Sequence, residues 1–126
     1  MAGKKILVVD DEVILVDLLQ IRLEAGGYEV ETAHDGLEGL SKTESMRPDL
    51  IILDIGMEGM DGYTMLKELR KKDGNKDTKV IMLSASGKMR EIFEKEGISD
   101  YIIKLFDAYD LLTCVAKVIK EGKARK

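Results

Sequence analysis

Short apolar runs alternate with longer segments of helical periodicity along this chain. The runs recur at regular intervals, at Ile6–Val9, Glu29–Ala33, Leu50–Leu53, Val80–Leu83 and Tyr101–Ile103. Most of them are apolar almost throughout, as strands covered on both faces are, whereas Glu29–Ala33 alternates in the manner of an edge strand. The pattern predicts an α/β fold with a parallel sheet built from βαβ units.

The segments between the runs predict helices over Val13–Ala25, Gly36–Met46, Tyr63–Lys72, Lys88–Glu96 and Ala108–Glu121. The apolar face of the first helix is formed by Val13, Val16, Leu19 and Leu23. Gly26 and Gly27 are expected to end this helix with a left-handed cap. The fourth helix has few apolar residues to anchor it, whereas the last carries a continuous apolar face.

The composition fits a single domain of 126 residues, because 44% hydrophobic residues are enough to fill one core. Residues 122–126 are interpreted as a tail or a truncated linker. The apolar runs are far shorter than the about 20 residues of a membrane span. Cys114 has no second cysteine for an internal disulfide. We therefore expect a cytoplasmic protein without membrane association.

Acidic residues outnumber basic ones, 24 against 20, which gives a net charge of −4. Binding to nucleic acid requires a basic face that neutralises phosphates. We therefore expect no nucleic-acid partner for this domain, and the positions of the acids become more informative than their excess.

Three acidic residues lie directly after predicted strands, Asp10 and Asp11 after the first and Asp54 after the third. In an open parallel sheet, functional groups collect outside the carboxyl ends of the strands, where the strand order reverses. If the first and third strands are neighbours there, the three carboxylates share one pocket, and a cation would relieve their repulsion. Oxygen ligands favour Mg²⁺ over Zn²⁺. Alternatively, Asp10 or Asp11 is the N-cap of the following helix.

Two further polar residues close predicted strands. Ser84 ends the fourth strand and offers a hydroxyl group, and Lys104 ends the fifth and offers an ammonium group. With the carboxylates they favour a phosphoryl-transfer site, in which a metal and a lysine neutralise oxygens while a carboxylate, with Asp54 as the central candidate, attacks in line. Taken singly, Ser84 also fits a turn and Lys104 a solvated strand end.

This set of motifs resembles the receiver domain of two-component response regulators, in particular single-domain receivers of the chemotaxis type. The residues that carry the resemblance are Lys5–Glu12, Pro48–Asp54, Met60–Gly62, Leu83–Ala85 and Asp100–Lys104. They span nearly the whole chain. The resemblance implies a flavodoxin-like, doubly wound sheet of five parallel strands in the order 2-1-3-4-5, with five helices.

The resemblance also implies roles for the acidic residues. Asp54 would be the phosphoacceptor, receiving a phosphoryl group from a histidine kinase or a phosphotransfer protein. Mg²⁺ would be the cofactor, with Asp11 as the direct ligand, Asp10 holding a metal-bound water, and Asp54 and the backbone carbonyl of Gly56 completing the site.

The remaining matched residues are implied to form a switch. Ser84 and Lys104 would bind the phosphoryl oxygens. The Ser84 hydroxyl would be drawn inward, and the ring of Tyr101 would then turn into the vacated space. This movement would change the surface formed by the fourth helix, the fifth strand and the fifth helix.

Two positions depart from the family pattern. Leu105 follows Lys104 where receivers usually have a proline, and we predict a trans bond there with a small shift of the ammonium group, because a non-proline cis bond costs about 2.5 to 4 kcal/mol. Glu58 stands where a proline usually follows the phosphoacceptor, and this predicts a more mobile loop. Gly56 and Ser86 resemble positions that tune autodephosphorylation, but they predict no lifetime for the phosphorylated state.

The sequence therefore favours a signalling switch, a monomer or phosphorylation-dependent dimer that binds another protein downstream. It would not be an enzyme beyond its own phosphorylation and dephosphorylation. One alternative is a pseudo-receiver that binds partners without phosphorylation. Another is a Mg²⁺-dependent phosphohydrolase with an aspartyl nucleophile, but such enzymes carry a second Asp where this chain has Gly56.

The other candidate residues fit structural roles. His34 is predicted to lie at the surface, and Cys114 to pack in the core. Met57 and Met60 are predicted to pack within their loop.

Overall fold

A computed structural model of the chain describes residues 3–57, 59–72, 78–104 and 108–121, without the side chains of residues 108–110 and 121. Strands and helices alternate along it. The strands are β1 (Lys5–Val9), β2 (Glu29–Ala33), β3 (Leu50–Asp54), β4 (Lys79–Ser84) and β5 (Asp100–Ile103). The helices are α1 (Val13–Ala25), α2 (Gly36–Met46), α3 (Gly62–Lys71), α4 (Arg90–Lys95) and α5 (Ala108–Glu121).

The five strands form one parallel sheet in the order β2-β1-β3-β4-β5. This confirms the predicted fold and places β2 at an edge. The strand order reverses between β1 and β3, where Val9 pairs with Leu53. Asp10 follows Val9, and Asp54 follows Leu53. The register of the two strands therefore brings these two acidic residues side by side.

The core lies on both faces of the sheet. Side chains of a strand alternate between faces, so Leu7 and Val9 pack on the side of α2, α3 and α4. Ile6 and Val8 pack on the side of α1 and α5. A strand buried on both faces needs apolar residues at every position, which explains the uninterrupted runs in the sequence.

Helix α1 differs from its prediction at one residue. Val16, Leu19 and Leu23 are buried as expected, but Val13 is 56% exposed. Val13 is the first residue of α1, and helical side chains lean towards the N-terminus, so a side chain at this position has no preceding turn of the helix to pack against. The expected left-handed cap is present, and it is Gly27 that adopts the positive φ of 95°.

The fourth helical segment is less regular than predicted, and its α-helical part is shorter. A 3₁₀ turn over Gly87–Met89 precedes α4, which ends at Lys95. The hydroxyl of Ser86 accepts a hydrogen bond from the Lys88 backbone N–H at 3.1 Å and starts the turn. Phe93 is the one buried residue of α4, so a single aromatic anchor holds this segment on the sheet. Among the described helices, none has the length and apolar character needed to cross a membrane.

Candidate functional site

Three carboxylates converge at the carboxyl ends of β1 and β3. Asp10 is fully buried and Asp54 is 3% exposed, whereas Asp11 is exposed. One oxygen atom from each of the three lies within 4.8 Å of the others. This spacing and the oxygen-only donor set fit a hard divalent cation such as Mg²⁺.

Lys104, directly after β5, reaches into this cluster. Its Nζ lies 3.1 Å from Asp10 Oδ2 and 3.1 Å from Asp54 Oδ1, and it also contacts the carboxylate of Glu12. Burial lowers the pKa of Lys104, but the attraction of the Glu12, Asp54 and Asp10 carboxylates outweighs burial, so the pKa is raised above its ordinary value. The ammonium group therefore stays charged at neutral pH.

The ionised form of the buried Asp10 carboxylate is disfavoured in the folded protein. Its Oδ1 accepts a hydrogen bond from the Glu12 backbone N–H at 2.9 Å, while Oδ2 is ion-paired with Lys104 without hydrogen-bond geometry. Burial raises the pKa of Asp10, and the charge of Asp54 adds to this effect. The hydrogen bond from Glu12 and the charge of Lys104 lower the pKa without reversing the shift.

Glu12, which the sequence analysis did not assign to the site, takes two roles there. It occupies the N-cap position of α1, so the N-cap alternative for Asp10 and Asp11 is wrong. Its side chain also contacts Lys104, 92 residues later in the chain. The signal available in the sequence was its place directly after Asp11, where the chain turns into the helix.

Ser84 ends β4 at the same edge and is 9% exposed. Its Oγ accepts a hydrogen bond from the Ser86 backbone N–H at 3.2 Å, and its carbonyl oxygen accepts one from the Lys104 N–H at 2.6 Å. The second bond joins the ends of β4 and β5. Ser84 and Lys104 therefore lie on adjacent strand ends, as their positions in the sequence predict.

The segment after Asp54 passes close to the cluster. Gly56 is exposed, and a Cβ built on it would meet open space. The role of its backbone carbonyl as a metal ligand stays a prediction. Gly62, at the start of α3, packs so closely that a Cβ there would overlap the Asp54 carbonyl oxygen. The sequence indicates Gly62 only as part of a motif, whereas the structure gives it a packing role, since a larger residue there would push the backbone at Asp54 and Ile55 away.

Tyr101 is already buried in this structure, at 2% exposure. Its hydroxyl donates a hydrogen bond to the Ser86 carbonyl oxygen at 2.6 Å. The ring thus occupies the inward orientation that the family resemblance assigns to the phosphorylated state, and its movement stays a prediction.

The residues with expected structural roles behave accordingly. His34 is exposed and lies 3.8 Å from Glu38. Cys114 is partly buried against the core and contacts Asp100 at 3.1 Å. Met57 is buried in the core on the α2, α3 and α4 side of the sheet, and Met60 is partly buried against the same part of the core.

Two predictions concern segments outside the described residues. The bond between Lys104 and Leu105 is one of them, and the loop position of Glu58 is the other. Residues 122–126 also lie outside the described part of the chain.

The sequence and fold match known proteins over most of the chain. The model of the response regulator receiver domain matches residues 6–116. The chemotaxis protein CheY of Thermotoga maritima is 35% identical over 94% of this chain and 99% of its own length. The transcriptional regulatory protein PhoP of Bacillus subtilis, which acts in alkaline phosphatase synthesis, is 39% identical over 96% of this chain and 50% of its own length. The chain spans about half the length of several curated relatives that it matches.

A solved structure extends the match to a site with a bound metal. The response regulator TrrA of Thermotoga maritima, solved in complex with Mg²⁺ and BeF, is 41% identical, with a TM-score of 0.82 over 91% of this chain and 98% of that chain. The chain therefore belongs to the family of response regulator receiver domains and serves in phosphorelay signalling by a two-component system.

Proposed function

We propose that Asp54 is the phosphoacceptor of this receiver domain. The observation that carries the proposal is the meeting of three carboxylates with the Lys104 ammonium at the switch point of the sheet. An Asp54 oxygen would attack the phosphorus of a phosphohistidine, so that an O–P bond forms while the P–N bond breaks and the imidazole leaves. Lys104, already 3.1 Å from Asp54 Oδ1, is placed to neutralise charge on the phosphoryl oxygens.

Asp10, Asp11, Asp54 and the Gly56 carbonyl would hold Mg²⁺. The cation would supply charge neutralisation for the carboxylates and the incoming phosphoryl group. The fit rests on the clustered oxygens and on the burial of Asp10 beside Asp54, which together raise the pKa of Asp10 above its ordinary value. A site of this kind gains most from a cation.

Ser84 and Tyr101 would convert phosphorylation into a change of surface. In this structure the Ser84 hydroxyl accepts a hydrogen bond from the Ser86 backbone N–H, and the Ser86 carbonyl accepts one from the Tyr101 hydroxyl. A phosphoryl group that attracts the Ser84 hydroxyl would draw it away from the first bond, and the second bond would hold the Tyr101 ring in the buried orientation. The output would reach the surface of α4, β5 and α5, where a downstream protein or a second copy of the chain would bind.

Incubation of the protein with Mg²⁺ and acetyl phosphate tests this function by intact mass. We expect one phosphoryl adduct in the presence of Mg²⁺ and none with EDTA. A wild-type protein that never gains the adduct would instead favour a pseudo-receiver. Continuous phosphate release at high turnover would favour a phosphohydrolase. The cytoplasmic location and the oligomeric state stay predictions from the sequence.

The surface for the phosphodonor protein is proposed to be the exposed apolar face of α1. Ile14 is 86% exposed, Leu18 43% and Ile21 64%. They lie at a spacing that places them on one side of the helix. Ile14 lies two residues after Glu12, whose carboxylate contacts Lys104 beside Asp54, so this face of α1 begins next to the proposed phosphorylation site.

Replacing Ile14 by Asp is expected to slow phosphoryl transfer from a histidine kinase that labels the wild type, by roughly tenfold, as for loss of one apolar anchor of an interface. Labelling by acetyl phosphate should be unchanged, because the small donor needs no docking surface. Leu37→Asp is the matched control, since Leu37 is also the second residue of a helix and is 68% exposed. Equal losses for the two variants, or a loss with acetyl phosphate, would contradict this surface.

A further inference from the structure

The ring of Tyr101 is covered by an arginine from the neighbouring helix. The guanidinium group of Arg90, the first residue of α4, lies 5.0 Å from the centre of the ring. One of its nitrogens donates a hydrogen bond to the Tyr101 backbone carbonyl at 3.0 Å. Arg90 thus contacts both the ring and the backbone of the same residue, while its own side chain is 45% exposed.

Aromatic side chains of the core also pack near the ring of Tyr101. Phe93 lies 6.2 Å from Tyr101 between ring centroids, and Tyr63 packs edge-on against Phe93 at 5.5 Å. Arg90 and Phe93 are three residues apart and therefore project from one side of α4. The short helix α4 places a cation and an aromatic ring around Tyr101 at the same time.

The hydroxyl end of Tyr101 is linked to the candidate phosphoryl site. The Tyr101 hydroxyl donates a hydrogen bond to the backbone carbonyl of Ser86. The backbone N–H of the same residue, Ser86, donates a hydrogen bond to Ser84 Oγ. Tyr101 is therefore held at two ends. Ser86 holds the hydroxyl on the side of the site, and Arg90 holds the ring and backbone on the side of the surface.

We propose that Arg90 holds Tyr101 in the buried orientation before any phosphoryl group arrives. Its regulatory meaning rests on the proposed switch role of Tyr101, but the contact itself does not. A cation over an aromatic face favours the orientation in which the ring is buried, and the charge-assisted hydrogen bond to the Tyr101 backbone carbonyl keeps the guanidinium group in place over the ring. The balance between the buried and the exposed orientation of the Tyr101 ring is then set by α4 as well as by the phosphoryl site. The ring is therefore already buried in a large part of the unphosphorylated protein.

Fluorine NMR of the full chain labelled with fluorotyrosine tests this, with the Tyr101 signal assigned from Tyr101→Phe. A soluble gadolinium chelate reports how far each ring is exposed to solvent. In unphosphorylated Arg90→Met, we expect the exposed population of Tyr101 to rise roughly tenfold, equivalent to about 1.4 kcal/mol of lost interaction. Arg90→Lys keeps the charge without the two-point contact and should give a smaller rise.

Lys67→Met is the matched control, because Lys67 lies 5.4 Å from the centre of the Tyr63 ring and its side chain is 46% exposed. It should leave the Tyr101 signal as in the wild type. Unchanged protection of Tyr101 in both Arg90 variants would overturn the proposal, and so would equal exposure in Lys67→Met. No phosphoryl donor is present, so failure of Asp54 to accept a phosphoryl group would leave this result intact.

Discussion

Asp54→Asn is expected to abolish the phosphoryl adduct that acetyl phosphate and Mg²⁺ form on the wild-type chain. The amide that replaces the carboxylate is not a nucleophile at phosphorus and offers no anionic oxygen to a cation. Asn is close in size to Asp, and Asp54 is almost fully buried at the end of β3, so the packing around it should survive. The measurement is intact mass, followed by peptide mapping of the modified wild type.

Asp61→Asn is the control for this experiment. Asp61 lies on the same connection between β3 and α3, and its carboxylate accepts a hydrogen bond from the Thr64 backbone N–H at 2.8 Å as the N-cap of α3. Asn caps helices as well as Asp does, so Asp61→Asn should label like the wild type. A persistent adduct in Asp54→Asn would show that another side chain accepts the phosphoryl group.

Asp10→Asn is expected to raise the melting temperature of the metal-free protein at neutral pH by several degrees, where about 1 kcal/mol corresponds to roughly 4 °C in a domain of this size. The reason is the raised pKa of Asp10, caused first by burial and then by the charge of Asp54. The shift already includes the attraction of Lys104, so the ionised carboxylate is unfavourable in the folded protein overall. Asn keeps an oxygen for the Glu12 backbone N–H.

The pH dependence of this effect follows from linkage. A carboxyl group whose pKa is raised on folding favours the folded state fully below its ordinary pKa, and loses that contribution as pH rises through the folded-state pKa. The stability difference between Asp10→Asn and the wild type should therefore be largest at neutral pH and shrink as the solution is acidified. Thermal melts at several pH values without Mg²⁺ measure it.

Mg²⁺ should reverse the order of stability. A ligand that binds only the folded state stabilises it by mass action, and Asp10→Asn removes one of the acidic groups proposed to hold the cation. The wild type should gain more from added Mg²⁺ than the variant. Asp17→Asn, an exposed acid on α1, should melt like the wild type with and without the metal. A variant that melts below the metal-free wild type would mean that the Asp10 charge stabilises the fold.

These two experiments also separate the leading function from its alternatives. A pseudo-receiver would show the stability effect of Asp10→Asn without any adduct on Asp54. A receiver shows both. The two measurements are independent, because the melting of Asp10→Asn reports the charge of the folded pocket and the labelling of Asp54→Asn reports nucleophilic attack.

The sheet was predictable because its strands are buried on both faces. Leu50–Leu53 is apolar at every position, and β3 is covered by helices on each side. The alternating segment Glu29–Ala33 was correctly read as an edge, since β2 pairs with β1 alone. Patterns of this kind reflect how far each residue is removed from water, and burial acts on every residue of a strand.

Helix ends and short helices were less predictable. Val13 has the spacing of a buried residue, but it is the first residue of α1 and is exposed. The fourth helical segment divides into a 3₁₀ turn and α4, and Phe93 is the one buried residue of α4. Periodicity specifies which side of a helix is apolar, but the neighbouring elements decide where that side stops being covered.

The sequence by itself determined the fold class and the residue types at the strand ends, because both depend on the local order of apolar and polar residues. Only the tertiary structure decided which of these groups touch. Glu12 meets Lys104 across 92 residues of chain, and Arg90 covers Tyr101 because a short α4 brings it there. Such contacts depend on the register of β1 against β3 and on the packing of α4 against β5, which arise only when the whole core has formed.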